Sequence, residues 1–351
     1  MFTKSIVTKG GDVFRDEYSL AFDGTNDYVS TGFVPNYTNI TISVWVKVLA
    51  DSDTKPICAA RDSADDGFLF YMGTTETPRV KLNGTSVTAS AVTPNVWTHI
   101  AFTWDGSTIK LYQDGILANS ASESSVMNIS KAMEIGGESS NSYHYYGNIS
   151  EVAVYNLTLT ANQVKTLYNG REPYNHKEGV ASGNLQAWYR MGDGSLDDFN
   201  LINDETNTTL GNTMITGDFD TQFTEHNTDS NNTVTYPTTT SVTIVSDGSQ
   251  AVGIQDANLL TSGKAYKCII DVTINSGSGI RMQDSSTVFQ TMTSTGVYTF
   301  YFIPSSTQFY IYRRTASASN TTINSMVLQE FGGNAGTMIN MDATDIEGDT
   351  P

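Results

Sequence analysis

Hydrophobic and polar residues alternate along most of the chain, with the period of two that half-buried β-strands show. The clearest alternating segment is 40–48, in which every second residue is aliphatic: Ile40, Ile42, Val44, Val46 and Val48. Asp-Gly pairs at 105–106 and 114–115 follow similar segments. This pair favours tight turns because glycine tolerates positive φ. Residues 97–118 are therefore predicted to form successive antiparallel strands.

Helical patterns are scarce, and the best one lies at 160–170. Thr160 and Gln163 have the spacing of a capping box, and Gly170 can end the helix in the left-handed conformation. One short helix near the end of a long series of strands is typical of an all-β sandwich.

Strand patterns return in the last third of the chain, after a stretch of different composition. Residues 191–263 contain no Lys or Arg, and residues 201–240 are dense in Thr and Asn. Alternation then resumes in four segments, at 265–274, 296–303, 308–313 and 323–328. These segments predict a second antiparallel β-sandwich.

We therefore expect the chain to have four parts. They are a first sandwich at 1–172, a connecting segment at 173–214, a second sandwich at 215–331 and a C-terminal tail at 332–351. The tail is too short to form a core by itself. It is expected to be flexible or to dock on a neighbouring subunit.

Composition and charge exclude several classes of protein. The 351 residues include 19 Lys or Arg and 37 Asp or Glu, for a net charge of −18. Proteins that bind nucleic acid or anionic lipid do so through basic surface patches. We therefore expect neither nucleic acid nor a membrane surface as a partner. No apolar stretch is long enough for a transmembrane helix, and the N-terminus lacks the apolar region of a secretory signal. Cys58 and Cys268 are predicted to be buried thiols.

Three segments of the first half carry a family resemblance. They are 19–29, 97–115, and 135–156 followed by the capped helix. In order and spacing these segments resemble a laminin-G-like, concanavalin A-type lectin domain. The resemblance implies a jelly-roll sandwich of two antiparallel sheets.

The second half is similar to small jelly-roll modules of the carbohydrate-binding kind. The matching segments are 216–220, 260–266, 296–300 and 323–328. The chain departs from the usual pattern after the first of these, where a Trp is common and Phe223 is the nearest aromatic residue. The resemblance implies a second jelly roll.

Two further segments, 185–194 and 345–351, resemble virion proteins of tailed phages from marine sources. In those proteins the two segments are close neighbours, whereas here the second jelly roll separates them as if it were inserted. The resemblance implies a non-enzymatic structural protein that decorates the capsid or forms part of a tail or fibre. Its partners would be other virion proteins, copies of itself and surface glycans.

Such a protein would be assembled in the host cytoplasm and displayed on the surface of the phage particle. The first alternative is a free extracellular bacterial lectin module that binds glycans. The second is a glucanase, because the lectin-like fold also supports that activity.

The sequence offers little support for catalysis. Retaining glycoside hydrolysis needs two carboxylates about 5 Å apart, yet the acid-bearing strand at 150–154 contains Glu151 alone. No Gly-x-Ser-x-Gly nucleophile motif is present, and His99 falls within a predicted strand as a core or sheet-surface residue. We therefore expect a protein without enzymatic activity.

Two clusters are candidate glycan-binding residues, because an aromatic ring offers a large rigid contact surface to a sugar. The first cluster contains Tyr143, His144 and Tyr145, and the second contains Tyr310, Tyr312 and Arg314. The second cluster lies on one face of a strand whose other face contains Phe309 and Ile311, which we expect in the core. Cross-strand packing or a subunit contact is the alternative for both clusters.

No cofactor is required by these predictions, and calcium is the metal that the sequence favours. Asp23, Asn26 and Asp27 offer oxygen ligands within a tight turn, and Ca²⁺ binds carboxylate and carbonyl oxygens. The alternative is that these side chains only make hydrogen bonds within the turn.

Overall fold

The computed structural model describes residues 14–63, 66–138, 142–194, 197, 201–215, 218–341 and 343–351. Strands account for 50% of the chain and helices for 5%, so the predicted all-β class is confirmed. Residues 1–13 of the predicted first sandwich and 216–217 of the predicted second one lie outside the described residues. No helix among the described residues is long and apolar enough to cross a membrane.

The chain divides into two compact units. The first contains Met1–Thr206 and Gly336–Pro351, and the second is the segment between them, Asn207–Ala335. These limits differ from the expected boundaries at 172, 214 and 331. The reason is strand pairing, because the strands at 185–189 and 201–202 of the predicted connecting segment, and those at 336–339 and 346–347 of the predicted tail, pair within the first unit.

The strands that precede the second unit are numbered in chain order. They are β1 (Ser19–Asp23), β2 (Tyr28–Thr31), β3 (Ile40–Val48), β4 (Lys55–Ser63), β5 (Asp66–Met72), β6 (Pro78–Leu82), β7 (Thr85–Thr88), β8 (Thr98–Trp104), β9 (Thr108–Gln113), β10 (Ile116–Ser122), β11 (Glu134–Ile135), β12 (Gly137–Glu138), β13 (Tyr143–His144), β14 (Tyr146–Tyr155), β15 (Leu185–Tyr189) and β16 (Leu201–Ile202). Helix α1 (Ala161–Tyr168) lies between β14 and β15, and a 3₁₀ turn (Ser182–Asn184) precedes β15.

The remaining elements complete the second unit and return to the first. The second unit contains β17 (Leu210–Thr213), α2 (Phe219–Gln222), β18 (Thr224–His226), β19 (Thr233–Thr238), β20 (Ser241–Ser246), β21 (Gly253–Asp256), β22 (Tyr266–Ser276), β23 (Ile280–Gln283), β24 (Val288–Met292), β25 (Gly296–Phe302), β26 (Phe309–Arg313) and β27 (Ser319–Phe331). The first unit then resumes with β28 (Gly336–Ile339), a 3₁₀ turn (Ala343–Asp345) and β29 (Ile346–Glu347).

Two eight-stranded antiparallel sheets enclose the core in the described part of the first unit. One has the order β10-β9-β8-β3-β14-β1-β29 with β15 paired to β14, and the other has the order β16-β28-β2-β11-β4-β5-β6-β7. The aliphatic face of β3 lies in this core, as the alternation predicts. Across the core, Phe102 of β8 contacts Phe68 and Phe70 of β5, with ring centroids 5.7 and 5.1 Å apart.

The opposite face of β3 is also buried, because α1 packs on it. Trp45 stacks on Tyr168 of the helix at 5.9 Å and meets the ring of His99 edge-on at 5.3 Å. The predicted capping box of Thr160 and Gln163 is present. The C-cap Asn169 is left-handed with a φ of 51°, and the predicted Gly170 that follows it also has a positive φ, of 69°.

Residues 336–351 belong to the first unit and contribute two of its strands instead of forming a separate tail. β28 pairs with β2 and β16, and β29 pairs with β1. These pairings satisfy backbone groups that would otherwise form open sheet edges. Asp349 anchors the end of the chain, since its carboxylate accepts hydrogen bonds from Lys47 Nζ and, at 2.9 Å, from Trp97 Nε1.

The second unit has a core of its own between two smaller antiparallel sheets. One has the order β19-β20-β27-β22-β25 with β17 paired to β27, and the other has the order β18-β21-β26-β23-β24. Phe309 and Ile311 of β26 are fully buried in this core, as predicted. The two predicted buried thiols are also confirmed, since Cys58 and Cys268 are free and lie in the first and second cores.

Candidate functional site

The predicted calcium loop and the first predicted aromatic cluster lie next to each other. We call residues 23–28 together with 143–146 the first-unit rim. Asp23 is directly opposite Tyr146 in the β1–β14 register. His144 Nδ1 lies 3.4 Å from the carbonyl oxygen of Asp27, and its ring lies 6.3 Å from that of Tyr28. Strand pairing therefore brings two candidates of the sequence to one place.

Only part of the first aromatic cluster is accessible. Tyr143 is 42% exposed and His144 is half-buried, but Tyr145 has no exposed surface. Tyr145 points into the first core and packs edge-on against Phe22 at 6.0 Å. The prediction that Tyr145 contacts a glycan is therefore wrong, because this residue lies between β13 and β14 on the inward side.

The acidic side chains of the rim make the hydrogen bonds of a tight turn. Asp23 Oδ1 accepts from the backbone N–H groups of Thr25 at 2.7 Å and Asn26 at 3.4 Å, and Asp27 Oδ2 accepts from that of Asp23 at 2.9 Å. Burial raises the pKa of Asp27. Calcium takes about six to eight oxygen ligands, and no group of three or more acidic, His or Cys side chains in the described residues could hold a metal. The calcium site stays a prediction, and the geometry is that of the alternative turn.

The second predicted cluster lies on a sheet face of the second unit. The register places Gln255 of β21 and Gln283 of β23 on either side of Tyr310, and Gly253 and Arg281 on either side of Tyr312. Directly opposed residues of neighbouring strands point to the same face. His226 of β18 lies opposite Gly253 and completes this row. We call the set His226, Gln255, Arg281, Gln283, Tyr310 and Tyr312 the second-unit face.

Three rings of the second-unit face form a continuous row. Tyr312 stacks on His226 with ring centroids 4.8 Å apart, and Tyr310 lies 4.9 Å from Tyr312. Gly253 makes the row possible, because a Cβ there would lie 2.7 Å from Tyr312 Cδ1. The packing leaves Tyr312 only 6% exposed, while Tyr310, at half-burial, offers more of its ring.

The polar groups beside these rings lack partners. Arg281 Nε and Gln283 Oε1 are buried and have no hydrogen-bond partner among the described residues. Buried polar atoms are nearly always paired in native proteins, and each exception needs an explanation. A ligand with hydroxyl or carboxylate groups would supply both partners once these side chains turn outward, since solvent does not reach either atom in this conformation.

Arg314, predicted on this face, lies just beyond it. β26 ends at Arg313, whose guanidinium donates to the carbonyl oxygens of Gln250 and Thr315. The exposed Arg314 follows the last paired residue of that strand. The cation within the face is Arg281, from a neighbouring strand. The alternation Ile280-Arg281-Met282-Gln283 was a visible strand signal, but its pairing with β26 was not.

A pair of carboxyl groups, which sequence spacing did not reveal, lies elsewhere in the first unit. Asp16 and Glu151 share a hydrogen bond, and burial raises the pKa of both groups. Glu151 Oε2 accepts from Trp188 Nε1 at 2.5 Å and Oε1 accepts from Arg190 Nε at 3.0 Å. The Glu151 side chain has no exposed surface and that of Asp16 is 3% exposed, so this pair is covered.

A family model matches part of the first unit. Residues 23–165 match the model of the concanavalin A-like lectin/glucanases superfamily. Residues 23–165 therefore form a region of the concanavalin A-like lectin type within the first unit. The predicted lectin resemblance is thereby confirmed. No curated protein matches the sequence.

Several solved structures are similar to parts of the chain. A candidate carbohydrate-binding protein from Bacteroides ovatus is 18% identical over 54% of this chain and 56% of its own, with a TM-score of 0.42. A SAP-like pentraxin from Limulus polyphemus is 15% identical, over 44% and 82%, with a TM-score of 0.37. The CBM40 of the Ruminococcus gnavus IT-sialidase, bound to α2,3-sialyllactose, is 14% identical, over 43% and 95%, with a TM-score of 0.35. The match therefore spans little more than half the length of the first of these chains.

Proposed function

We propose that this protein binds glycans reversibly and does not hydrolyse them, and that the second-unit face is its main binding surface. The observation that carries this proposal is the row of rings with unpartnered polar atoms beside it. A sugar ring presents an apolar face to an aromatic side chain and hydroxyl groups to its neighbours. Tyr310 provides the ring surface, and Gln283 and Arg281 provide the hydrogen-bonding groups.

The buried carboxyl pair supports binding without hydrolysis. A glycosidase acid must reach the glycosidic oxygen, whereas Glu151 accepts hydrogen bonds from Trp188 and Arg190 and has no exposed side-chain surface. The outward positions of the second-unit face carry no acidic side chain in the register of β18, β21, β26, β23 and β24.

The test is a binding and turnover assay on the full chain. A panel of oligosaccharides is titrated calorimetrically, and the same mixtures are analysed for cleavage products. Tyr310→Ala should weaken binding about tenfold, since a ring contact and its buried area are lost. Tyr301→Ala is the matched control, because Tyr301 lies on the outer face of the other sheet, opposite Lys267. Equal affinity for wild type and Tyr310→Ala would refute the binding surface, and cleavage products would refute the non-enzymatic role.

We further propose that the protein acts on the surface of a tailed-phage particle, as a capsid decoration or a tail or fibre component. The segments that resemble phage virion proteins, 185–194 and 345–351, contribute strands to one sheet: β15 pairs with β14, and β29 pairs with β1, which also pairs with β14. This proximity supports the interpretation of the second unit as an insertion between them. Many weak sites on one particle would give strong attachment through avidity.

Quantitative mass spectrometry of purified particles tests this location. A copy number close to that of the major capsid protein indicates decoration, and a number lower by one to two orders of magnitude indicates a tail or fibre. Absence from particles would refute the virion role. The lectin-like fold would then fit the alternative, a free extracellular bacterial lectin, equally well.

A further inference from the structure

We propose that the second-unit face selects acidic glycans, and that Arg281 binds the carboxylate of one sugar residue. This inference rests on the proposed glycan binding and adds the class of sugar. The charge of the face differs from that of the chain as a whole.

The face is free of acidic side chains in a strongly acidic protein. The two outward rows across the sheet are His226, Gly253, Tyr312, Arg281 and Thr291, and Thr224, Gln255, Tyr310, Gln283 and Val288. None of these ten residues is Asp or Glu, although the chain contains 37 of them against 19 Lys or Arg. The only formal charge in the two rows is therefore the guanidinium of Arg281.

The nearest acid in sequence does not neutralise that charge. Asp284 follows Gln283, but its carboxylate is buried and accepts from the backbone N–H groups of Ser286, Thr287 and Ser305 at 2.6–2.8 Å. No described acidic side chain forms an ion pair with Arg281. Its Nε is in addition a buried donor without a partner.

A carboxylate satisfies such a group better than a hydroxyl does. The planar guanidinium donates two parallel hydrogen bonds to a carboxylate, and these charge-assisted bonds are about twice as strong as neutral ones. An unpaired buried donor also carries a desolvation penalty that a bound anion removes.

The position of Arg281 lets one sugar residue use the charge and a ring together. Arg281 is directly opposite Tyr312, and Gln283 is directly opposite Tyr310, two residues along the same pair of strands. Opposed side chains lie about 5 Å apart. A carboxylate on Arg281 therefore places the rest of its sugar beside Tyr310, with a hydroxyl able to donate to Gln283 Oε1. The geometry fits a uronic-acid type of residue within an oligosaccharide.

The test compares each uronic-acid oligosaccharide with the same oligosaccharide after its carboxyl groups have been reduced to alcohols. Calorimetric titration of the full chain should show at least about tenfold tighter binding of the acid form, as a charge-assisted hydrogen bond predicts. Arg281→Gln should bring both forms to the same, weaker affinity. Arg281→Lys should keep only part of the preference, because lysine cannot form the paired hydrogen bonds.

Lys267→Gln is the matched control, since Lys267 lies on the outer face of the other sheet, over the ring of Tyr301. This variant should retain the full preference for the acid form. Equal binding of acid and reduced forms by wild type would overturn the inference and leave the proposed glycan binding intact. Binding of neither form, nor of any neutral glycan, would overturn both.

Discussion

The first-unit rim and the second-unit face both contain Tyr and His side chains, but their polar side chains differ in whether they have hydrogen-bond partners. In the rim, the carboxylates of Asp23 and Asp27 accept hydrogen bonds from their own turn, and His144 lies against a carbonyl oxygen. In the face, Arg281 Nε and Gln283 Oε1 are buried without partners. In the rim, the unpartnered buried polar atom is Tyr145 Oη, which lies in the first core, whereas the two in the face belong to outward positions beside the row of rings.

This difference shows why exposed aromatic residues are a weak guide to binding. Tyr143 is 42% exposed, and Tyr312 is only 6% exposed. Exposure alone would favour the rim. The free energy of binding comes mainly from groups that gain partners on binding, since a self-satisfied group exchanges one hydrogen bond for another. The comparison can be tested by matched changes in the two regions.

The largest expected effect on glycan binding comes from Gly253, the glycine that leaves room for the ring of Tyr312. Gly253→Ala places a Cβ 1.9 Å from the carbonyl oxygen of Ile311 and 2.7 Å from Tyr312 Cδ1. This overpacking should destabilise the second unit by about 2 kcal/mol and should abolish binding by displacing the ring row. Calorimetry on the folded variant and urea unfolding measure the two effects.

Gly24→Ala is the counterpart in the rim. Its φ of +78° and a Cβ 3.1 Å from Tyr146 Cβ should lower the free energy of unfolding by about 1 kcal/mol, with glycan affinity unchanged. Normal binding by Gly253→Ala, or lost binding by Gly24→Ala, would reverse the assignment of the two regions.

The two accessible histidines provide the next comparison. His226→Ala removes the ring that stacks on Tyr312 at 4.8 Å and should weaken glycan binding about fivefold, as an aromatic pair contributes about 1 kcal/mol. His144→Ala should change the affinity less than twofold. A larger effect of His144→Ala in the same titration would place the binding site on the rim.

A smaller effect concerns stability, and it should appear in the first unit only. Burial first, and then the neighbouring Glu151 carboxylate, raise the pKa of Asp16. The folded state therefore holds a proton that the unfolded state loses above about pH 4, and the first unit should lose stability as pH rises. Asp16→Asn removes this titration, so its free energy of unfolding should fall less between about pH 5 and about pH 9.

The second unit provides the contrast for this measurement. Burial acts to raise the pKa of Asp284, but hydrogen bonds from Ser286, Thr287 and Ser305 outweigh it and lower the pKa. That carboxylate therefore stabilises the second unit above its unfolded pKa and loses its effect as pH falls. An identical pH profile for wild type and Asp16→Asn would contradict the role assigned to the carboxyl pair.

The smallest expected effect is at the predicted calcium loop. Asn can accept the same backbone hydrogen bonds as Asp23, so Asp23→Asn should change the free energy of unfolding by less than about 0.5 kcal/mol. Thermal unfolding with and without added CaCl₂ measures this. A calcium-dependent rise in Tm that Asp23→Asn abolishes would show that the loop binds the metal. The rim, and not only the second-unit face, would then be a ligand-binding site.

Local features of the fold were predictable because they depend on near neighbours in sequence. The aliphatic face of β3, the Asp-Gly turns and the capping box of α1 all follow from residues a few positions apart. The inward face of β26 was predictable for the same reason, since Phe309 and Ile311 are two positions apart and therefore lie on the same face of the strand. Each of these predictions required no knowledge of strand order.

Features that depend on strand pairing were not predictable in the same way. Arg281 enters the second-unit face because β23 pairs with β26, and Asp16 meets Glu151 across 135 positions of sequence. The rule that successive side chains alternate between the two faces also fails where a strand is interrupted, as at Tyr145 between β13 and β14. The position of a residue along one strand therefore predicts which face of the sheet its side chain is on. It does not predict which residues of neighbouring strands lie beside it.

The most direct test of the central claim is a histidine-selective NMR titration of the full chain with a uronic-acid oligosaccharide. The chain has four histidines: His226 lies in the second-unit face, His144 in the rim, and the buried His99 and His176 serve as internal references. The proposed site predicts a saturable shift of the His226 ring signals while those of His144 stay in place. A shift of His144 with His226 unchanged would contradict it.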